Sequence, residues 1–377
     1  MPRVWVTHAS AVTALGDTLD ATWKGLLEGK TGIRRLRRFS TAPYPVGIAA
    51  CIQDLDPGDS RSLIYDLIDR AMQNLPPLPK DTLLITATTK GPIDLMERVC
   101  RKTETGIETL LIPHLVASLS RKLKLQKSGF NISAACASST VAISQACSQI
   151  ALGKAEAVLV LCADLVSEFT FSGFSALQIL SERPCAPFDR NRNGLSLGEG
   201  AAAILLMSPT RAKAEGLFPL ATVCGWGVAS DAVHITSPAK DGKGLIQAIK
   251  QALNIAGFSP DAISAVNAHG TGTVQNDRME LVAFHTVFGD RRLPIHSIKG
   301  AVGHTLGAAG GIEIAVSIRA LQEKVIPPTT GFADPEPLGK GCIFSEPVMM
   351  PPGYVLTTNS GFGGVNAAII LGKGNAS

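Results

Sequence analysis

Short runs of uninterrupted apolar, often β-branched residues alternate along the chain with longer segments whose apolar positions recur at helical spacing. The runs Thr82–Thr86, Ala157–Cys162, Ala201–Leu206, Ile263–Asn267 and Ala367–Leu371 predict strands. Several lack polar alternation, so they are expected to be covered on both faces. Helices are predicted over Ser138–Leu152, Gly244–Ala256 and Gly311–Glu323; the last sets Ile312, Ala315, Val316, Ile318 and Leu321 at roughly helical spacing. The rhythm is that of an α/β protein. A stretch at Ser208–Leu220 reads as a surface crossover, so residues 1–215 and 216–377 are taken as two halves, with no sequence repeat between them.

Composition narrows the classes. The chain has 377 residues, 45% hydrophobic and 18% charged, enough apolar content for a large core and too much for disorder. Lys and Arg number 35 against 31 Asp and Glu, a net charge of +4 that gives no reason to expect nucleic acid as a partner. The first residues lack the basic-then-apolar layout of a secretory signal, and no apolar run is long enough to span a bilayer. Eight cysteines are scattered without a C-x-x-C pair, which suits reduced thiols in a cytoplasmic protein.

Four segments carry candidate chemistry. Asn131 to Thr140 places Cys136 just before a predicted helix, where the helix dipole and free N–H groups favour thiolate; a buried structural cysteine is the alternative. Cys147 and Cys162 lie in apolar elements without such a setting. In Ala268–Thr273, His269 follows a predicted strand and is flanked by Gly270 and Gly272, with Thr271 and Thr273 adding short hydroxyls. In Lys299–Glu313, His304 sits in a Gly-rich stretch entering a helix, with Lys299 and Glu313 as candidate charge partners. A phosphate-binding loop is the rival there, but the G-x-x-x-x-G-K-[ST] order is missing. Zinc through His269 and His304 lacks any ligand spacing, so no metal site is expected. Finally, Thr358–Asn366 holds Ser360, Gly361, Phe362 and Gly363, a glycine-rich turn able to expose backbone N–H groups.

Taken together, these segments resemble the β-ketoacyl-acyl carrier protein synthases, of the elongating Cys-His-His type. The likeness extends from about Asn131 to the end. It includes Arg183-Pro-Cys-Ala-Pro-Phe-Asp189 with Gly198-Glu-Gly200, Ser230-Asp-Ala-Val-His-Ile-Thr-Ser-Pro238, and Pro327-Pro-Thr329. The resemblance implies a thiolase-like fold of two similar α-β-α-β-α halves, normally dimerised. It implies that Cys136 accepts an acyl group from a carrier-protein thioester and that a malonyl unit then condenses with loss of carbon dioxide. His269 and His304 would donate hydrogen bonds to the thioester oxygen, and the N–H groups of Cys136 and Phe362 would hold the oxyanion. Lys299 and Glu313 would fix the protonation of the histidines, and Thr271 and Thr273 would contact the phosphopantetheine arm. That arm comes with the acyl carrier protein, so no cofactor of the enzyme's own is implied.

Two departures shape the expectation. The family's basic helical region is replaced around residues 55–80 by Asp56-Pro-Gly-Asp-Ser-Arg61 and a compact acidic helix, so Arg34, Arg35, Arg37 and Arg38 are alternative contacts for an acidic carrier. Ser360 stands where fatty-acid members carry Phe in N-S-F-G-F-G-G, as in the ketosynthase subunits of aromatic polyketide systems. A specialised polyketide, polyene or unusual lipid chain is therefore expected, by a homodimer or the catalytic half of a heterodimer with a chain-length factor; housekeeping fatty-acid elongation is the alternative. A thiolase would require a second reactive Cys near the C-terminus, and Cys342 is not in a C-x-G loop; an initiating synthase would place Asn where His304 stands.

Overall fold

Val158, Val160 and Cys162 point into one apolar core while Leu159 and Leu161 between them point into another. The same split divides Ala202, Ile204 and Leu206 from Ala203 and Leu205. A sheet wetted on neither side needs no polar alternation, which is why these runs are apolar throughout. The computed structural model describes residues 3–55, 61–101 and 108–374.

Ten strands form one sheet: β1 (Val4–Ala9), β2 (Leu83–Ala87), β3 (Phe130–Ile132), β4 (Ala157–Asp164), β5 (Gly200–Met207), β6 (Ala221–Ser230), β7 (Ile263–Asn267), β8 (Ile295–His296), β9 (Tyr354–Gly361) and β10 (Val365–Lys373). Their order is β8-β7-β9-β10-β6-β1-β5-β4-β2-β3. One pattern occurs twice. From β1 outward the pairings run antiparallel to β5, antiparallel to β4, parallel to β2 and parallel to β3. From β6 outward they run antiparallel to β10, antiparallel to β9, parallel to β7 and parallel to β8. The two blocks meet where Val4, Trp5 and Val6 pair with Val223, Thr222 and Ala221.

The helices that position the site are α1 (Leu63–Ala71), α2 (Ser138–Ala151), α3 (Glu168–Ala176), α4 (Lys243–Ala256), α5 (Val274–Phe288), α6 (Lys299–Val302) and α7 (Ala309–Glu323). Helices α2 and α7 pack side by side against strands of both blocks, sharing a core that runs from Ile143 and Ile312 to Ile204 and Ile369. Helix α1 covers the outer face of the first block through Leu63, Ile64, Leu67 and Ile68. Helices α4 and α5 cover the second block through Leu245, Ile249, Met279 and Phe284. The resulting helix–sheet–helix–sheet–helix layering is the expected thiolase-like arrangement.

The predicted elements fall close to the observed ones. Ile263–Asn267 coincides with β7, and Ser138–Ala151 ends one residue short of the expectation. The crossover at Ser208–Leu220 contains a short helix, Pro209–Ala214, whose first turn is capped by the Ser208 hydroxyl accepting from the Arg211 N–H. Thr358–Gly361, read from sequence as part of a turn, belongs to strand β9; the turn is confined to Phe362–Gly364. Of the replaced segment, residues 56–60 lie outside the described residues. The acidic helix is α1, with Asp66 and Asp69 turned outward onto Arg61 at 3.3 and 3.0 Å.

Candidate active site

The nucleophile segment is a tight elbow between β3 and α2. Ala135 holds a left-handed φ of +48°, a conformation that costs a non-glycine residue about 1 kcal/mol or more. Ser138 stabilises the turn: its Oγ donates to Ala135 O at 2.6 Å and accepts from Ala134 N at 2.9 Å. The elbow presents Cys136 to a cleft, and the β9–β10 turn closes over it. At Gly361 a Cβ would lie 2.8 Å from Ala134 O and 3.2 Å from Cys136 N, so only glycine lets this turn approach so closely. The Phe362 ring stacks on Phe174 of α3 with centroids 5.8 Å apart.

The expectation that the helix terminus makes Cys136 a thiolate does not hold. Burial pushes the thiol up to about 11, outweighing the lowering by Lys90, Lys299 and the Phe362 N–H. The resting group is a thiol. Cys162, deeper in the core, is pushed up to about 12 by burial and stays structural.

His269 stands two residues beyond β7, and two carboxylates of α5 hold its loop. Glu280 accepts from His269 N at 2.7 Å and Gly270 N at 2.6 Å, while Asp277 accepts from Thr271 N at 3.0 Å and Gly272 N at 3.2 Å. Burial, reinforced by neighbouring Asp277, raises the Glu280 carboxyl to about 8. Neither acid was singled out from sequence; their only local signal is a position eight and eleven residues after the histidine, on the helix that follows.

Behind the ring of His269, Lys299 is 1% exposed and its ammonium directs three donors inward: to Glu313 Oε1 at 2.5 Å, to His269 O, and to His269 Nδ1 at 3.3 Å. Asn359 Nδ2 also faces His269 Nδ1, at 3.1 Å. With donors on that side, Nδ1 is the acceptor and Nε2 carries the ring hydrogen. His304 follows the same rule, its Nδ1 accepting from Leu306 N at 3.3 Å. The two rings lie edge to face with centroids 5.1 Å apart. Burial and then Lys299 hold both far below the usual histidine range, so both are neutral, each with an Nε2–H to offer.

Asp164, at the end of β4, anchors the His304 segment. It accepts from Gly307 N at 2.6 Å and from the Thr88 and Thr89 hydroxyls, both at 2.8 Å.

Cys136, His269, His304, Thr271, Thr273, Ser360, Gly361 and Phe362 line one cleft. Thr271 and Thr273 join hydroxyls at 2.9 Å. Ser360 Oγ donates to Asn366 Oδ1 at 2.7 Å, and Asn366 Nδ2 donates to Asp231 Oδ1 at 3.0 Å. Lys299 and Glu313 stand behind the cleft wall, acting on it through His269 and Asn359. Gly363 stands at the rim beside the cleft: it is exposed, and its N–H donates to the carbonyl of Ile235, a residue of the cleft wall, at 2.7 Å, while Gly364 lines the cleft itself.

The basic cluster also needs correcting. Arg34, Arg35 and Arg37 are exposed, but Arg38 turns inward to pair with both oxygens of Glu199, at 2.6 Å on its NH2 side. Glu199 further accepts from Ile52 N at 2.9 Å and Val166 N at 3.1 Å. Arg38 is thus partly buried, with its guanidinium engaged by Glu199 and the Val166 carbonyl rather than turned outward like its neighbours.

Family profiles place the same residues in a known class. Residues 96–212 match the profile described as Beta-ketoacyl synthase, N-terminal domain, and residues 220–333 match Beta-ketoacyl synthase, C-terminal domain. The chain is 29% identical to the 3-oxoacyl-[acyl-carrier-protein] synthase 2 of Coxiella burnetii, over 98% of both proteins. Among solved structures it superposes on the ishigamide ketosynthase/chain length factor with a TM-score of 0.90 at 26% identity, over 99% of this chain and all of that one. It superposes on a type II polyketide ketosynthase in complex with its acyl-carrier protein with a TM-score of 0.87 at 25% identity, again over 99% and 100%. With both profiles matched in order along one chain and alignment over nearly its full length, the protein belongs to the β-ketoacyl synthase family.

Proposed function

We propose that this protein is a β-ketoacyl-acyl carrier protein synthase that extends a carrier-bound acyl chain by decarboxylative condensation with a malonyl unit. The observation that carries this reading is the convergence of Cys136 with two neutral imidazoles whose Nδ1 atoms are occupied, leaving two Nε2–H donors at one cleft. In the first half-reaction the Cys136 sulfur attacks the carrier thioester carbon, and its proton leaves on the departing pantetheine thiol. The N–H groups of Cys136 and Phe362 stabilise the tetrahedral oxyanion. In the second, the malonyl carbon–carboxylate bond breaks and releases carbon dioxide. The electron pair passes into an enolate whose oxygen is held by His269 and His304, and the carbanion attacks the acyl-Cys136 thioester. The Cys136 sulfur departs and is reprotonated. Charge develops on the thioester oxygen, so neutral donors fixed before the reaction are what the step requires.

Lys299 and Glu313 keep those donors in place, and Thr271 with Thr273 contacts the phosphopantetheine arm, which the carrier supplies; the scheme uses no cofactor of the protein's own. Acyl carrier protein is therefore the partner, with Arg34, Arg35 and Arg37 as exposed cations for its acidic surface. Strand β3 ends the sheet with an open edge, and Phe130 on it is 40% exposed. An edge of this kind calls for a cover, which supports a dimer, either with itself or with a chain-length-factor-like subunit. We take 1–215 and 216–377 as the two halves, and the eight free cysteines support a cytoplasmic location.

The chain class follows from Ser360. Its hydroxyl, tied through Asn366 to Asp231, sets a polar wall beside the cleft. That supports an oxygenated polyketide or polyene chain over a plain saturated one. The test is intact-protein mass spectrometry with a panel of acyl-carriers, with Cys136→Ala as control. An adduct on Cys136, strongest for oxygenated or unsaturated acyls and cleared by malonyl-carrier, is the expected result. Preference for short saturated acyls would return the enzyme to housekeeping elongation, and absence of any adduct would overturn the condensing reading.

A further inference from the structure

His269 Nδ1 faces two donors, and one belongs to a residue with no part in the scheme above. Asn359 is fully buried in β9. One hydrogen of its amide points at His269 Nδ1, 3.1 Å away, and the other at Glu313 Oε2, 2.7 Å away. Its Oδ1 accepts from the hydroxyl of Thr140, one turn into the helix that begins just after Cys136. Every polar atom of the side chain is therefore used, and this fixes the amide's orientation. The flipped amide would set its oxygen against the Glu313 carboxylate.

Room for this junction is built into α7. A Cβ at Gly310 would lie 1.9 Å from Thr140 Oγ1 and 2.7 Å from Asn359 Oδ1, so a side chain there is incompatible with the contact. The nearby ammonium of Lys299 divides its hydrogens among His269 O, Glu313 Oε1 and, at 3.3 Å, His269 Nδ1. The imidazole Nδ1 has a single in-plane lone pair, and Asn359 is the nearer donor to it. It is also a donor without charge, so it fixes the ring without adding a further cation beside an imidazole that has to stay neutral.

We propose that Asn359 is the positioning residue for His269: it holds Nδ1 as an acceptor, directs the Nε2–H at the substrate oxygen, and ties that ring to Glu313 and to the nucleophile helix through Thr140. The kinetic consequence rests on the condensing reading above, while the ring tautomer does not.

The experiment is nitrogen NMR on the full-length protein labelled at histidine, with His269 assigned by its loss in His269→Gln, followed by rate measurements on Asn359→Asp. The wild type is expected to show an unprotonated Nδ1 and a protonated Nε2 on His269. In Asn359→Asp a carboxylate replaces the donor, and the hydrogen is expected to move to Nδ1. Malonyl-carrier turnover should then fall about 100-fold, the loss typical of one oxyanion donor, with Cys136 acylation reduced less than about tenfold. A protonated Nδ1 in the wild type would overturn the proposal, and that measurement stands even if the variant fails to fold. So would a variant whose tautomer and turnover are unchanged, or one in which acylation and malonyl turnover fall together. A wild type that never consumes malonyl-carrier would instead overturn the condensing reading, leaving the tautomer to decide the role of Asn359.

Discussion

Two of the ion pairs inside this molecule, Arg38–Glu199 and Lys299–Glu313, do different work. Glu199 collects two donors from Arg38 and two backbone N–H groups, Ile52 and Val166. All of its bonds end on one another or on backbone, so the cluster stitches the segment around Arg38 to the core. Lys299 and Glu313 are the more deeply buried pair, and both also reach beyond it. Lys299 extends to His269, and Glu313 binds Asn359, whose other hydrogen returns to the same ring. The first pair closes on itself and on backbone, whereas the second spends its remaining hydrogen bonds on an imidazole at a cleft.

The sharpest way to break this contrast is to remove one cation from each pair. Arg38→Met leaves Glu199 buried among N–H groups without its charge partner, and unfolding free energy should fall by about 3–5 kcal/mol. Turnover of the folded fraction should change little; urea denaturation and rate assays on one preparation would decide it. Lys299→Met should do the reverse. Burial already pushes the Glu313 carboxyl up against the pull of Lys299, so it can accept a proton and go neutral. Malonyl turnover should drop about 100-fold while stability changes less than in Arg38→Met. Equal stability losses in both variants would erase the distinction.

The role of close packing in the second pair is tested by Gly310→Ala. The added methyl meets Thr140 Oγ1 and Asn359 Oδ1 inside contact distance, so about 1–3 kcal/mol of destabilisation is expected, together with slower condensation. An unchanged melting temperature would mean α7 can withdraw freely.

The last test concerns pH. His296 is buried, its Nδ1 has no partner among the described residues, and burial lowers it to about 3. His269 and His304 are lowered as well. An unfolded histidine takes up a proton near pH 6.5, whereas these folded ones resist. The unfolded state therefore binds more protons as pH falls below about 6.5, and each such histidine lowers stability by about 1.4 kcal/mol per pH unit, for His296 down to about pH 3. Urea titrations at pH 7, 6 and 5 should show the decline for the wild type and a shallower one for His296→Asn. Because the raised Glu280 carboxyl works in the opposite direction, the deciding quantity is the difference between the two proteins, and identical slopes for wild type and His296→Asn would contradict the burial of His296 as a neutral ring.

Much of the framework was legible from sequence because it depends on local pattern. Strand β7 and helix α2 are marked by an apolar run and by small-residue helical spacing, and both are found within a residue of the expectation. Cys136, His269 and His304 were legible because each sits in a glycine- or alanine-rich turn that only a close approach requires. What was not legible depends on chain distance. Asn359 reaches Glu313 across 46 residues and Thr140 across 219, and Asp164 holds Gly307 across 143. No local signal marks such partners. Arg38 looked like its exposed neighbours because sequence does not show which arginine of a run turns inward. The charge state of Cys136 was misjudged for a related reason: the helix terminus is a local feature, while the burial that overrides it comes from every layer around the site.

The central claim is that two neutral histidines stabilise the enolate after Cys136 has been acylated. Carbon dioxide release from malonyl-carrier, followed alongside the intact mass of the enzyme for wild type and His304→Ala, tests it most directly. The account predicts that His304→Ala still forms the acyl-Cys136 adduct but releases carbon dioxide about 100-fold more slowly, so that the adduct persists. Release at the wild-type rate from His304→Ala, or loss of acylation with decarboxylation intact, would contradict it.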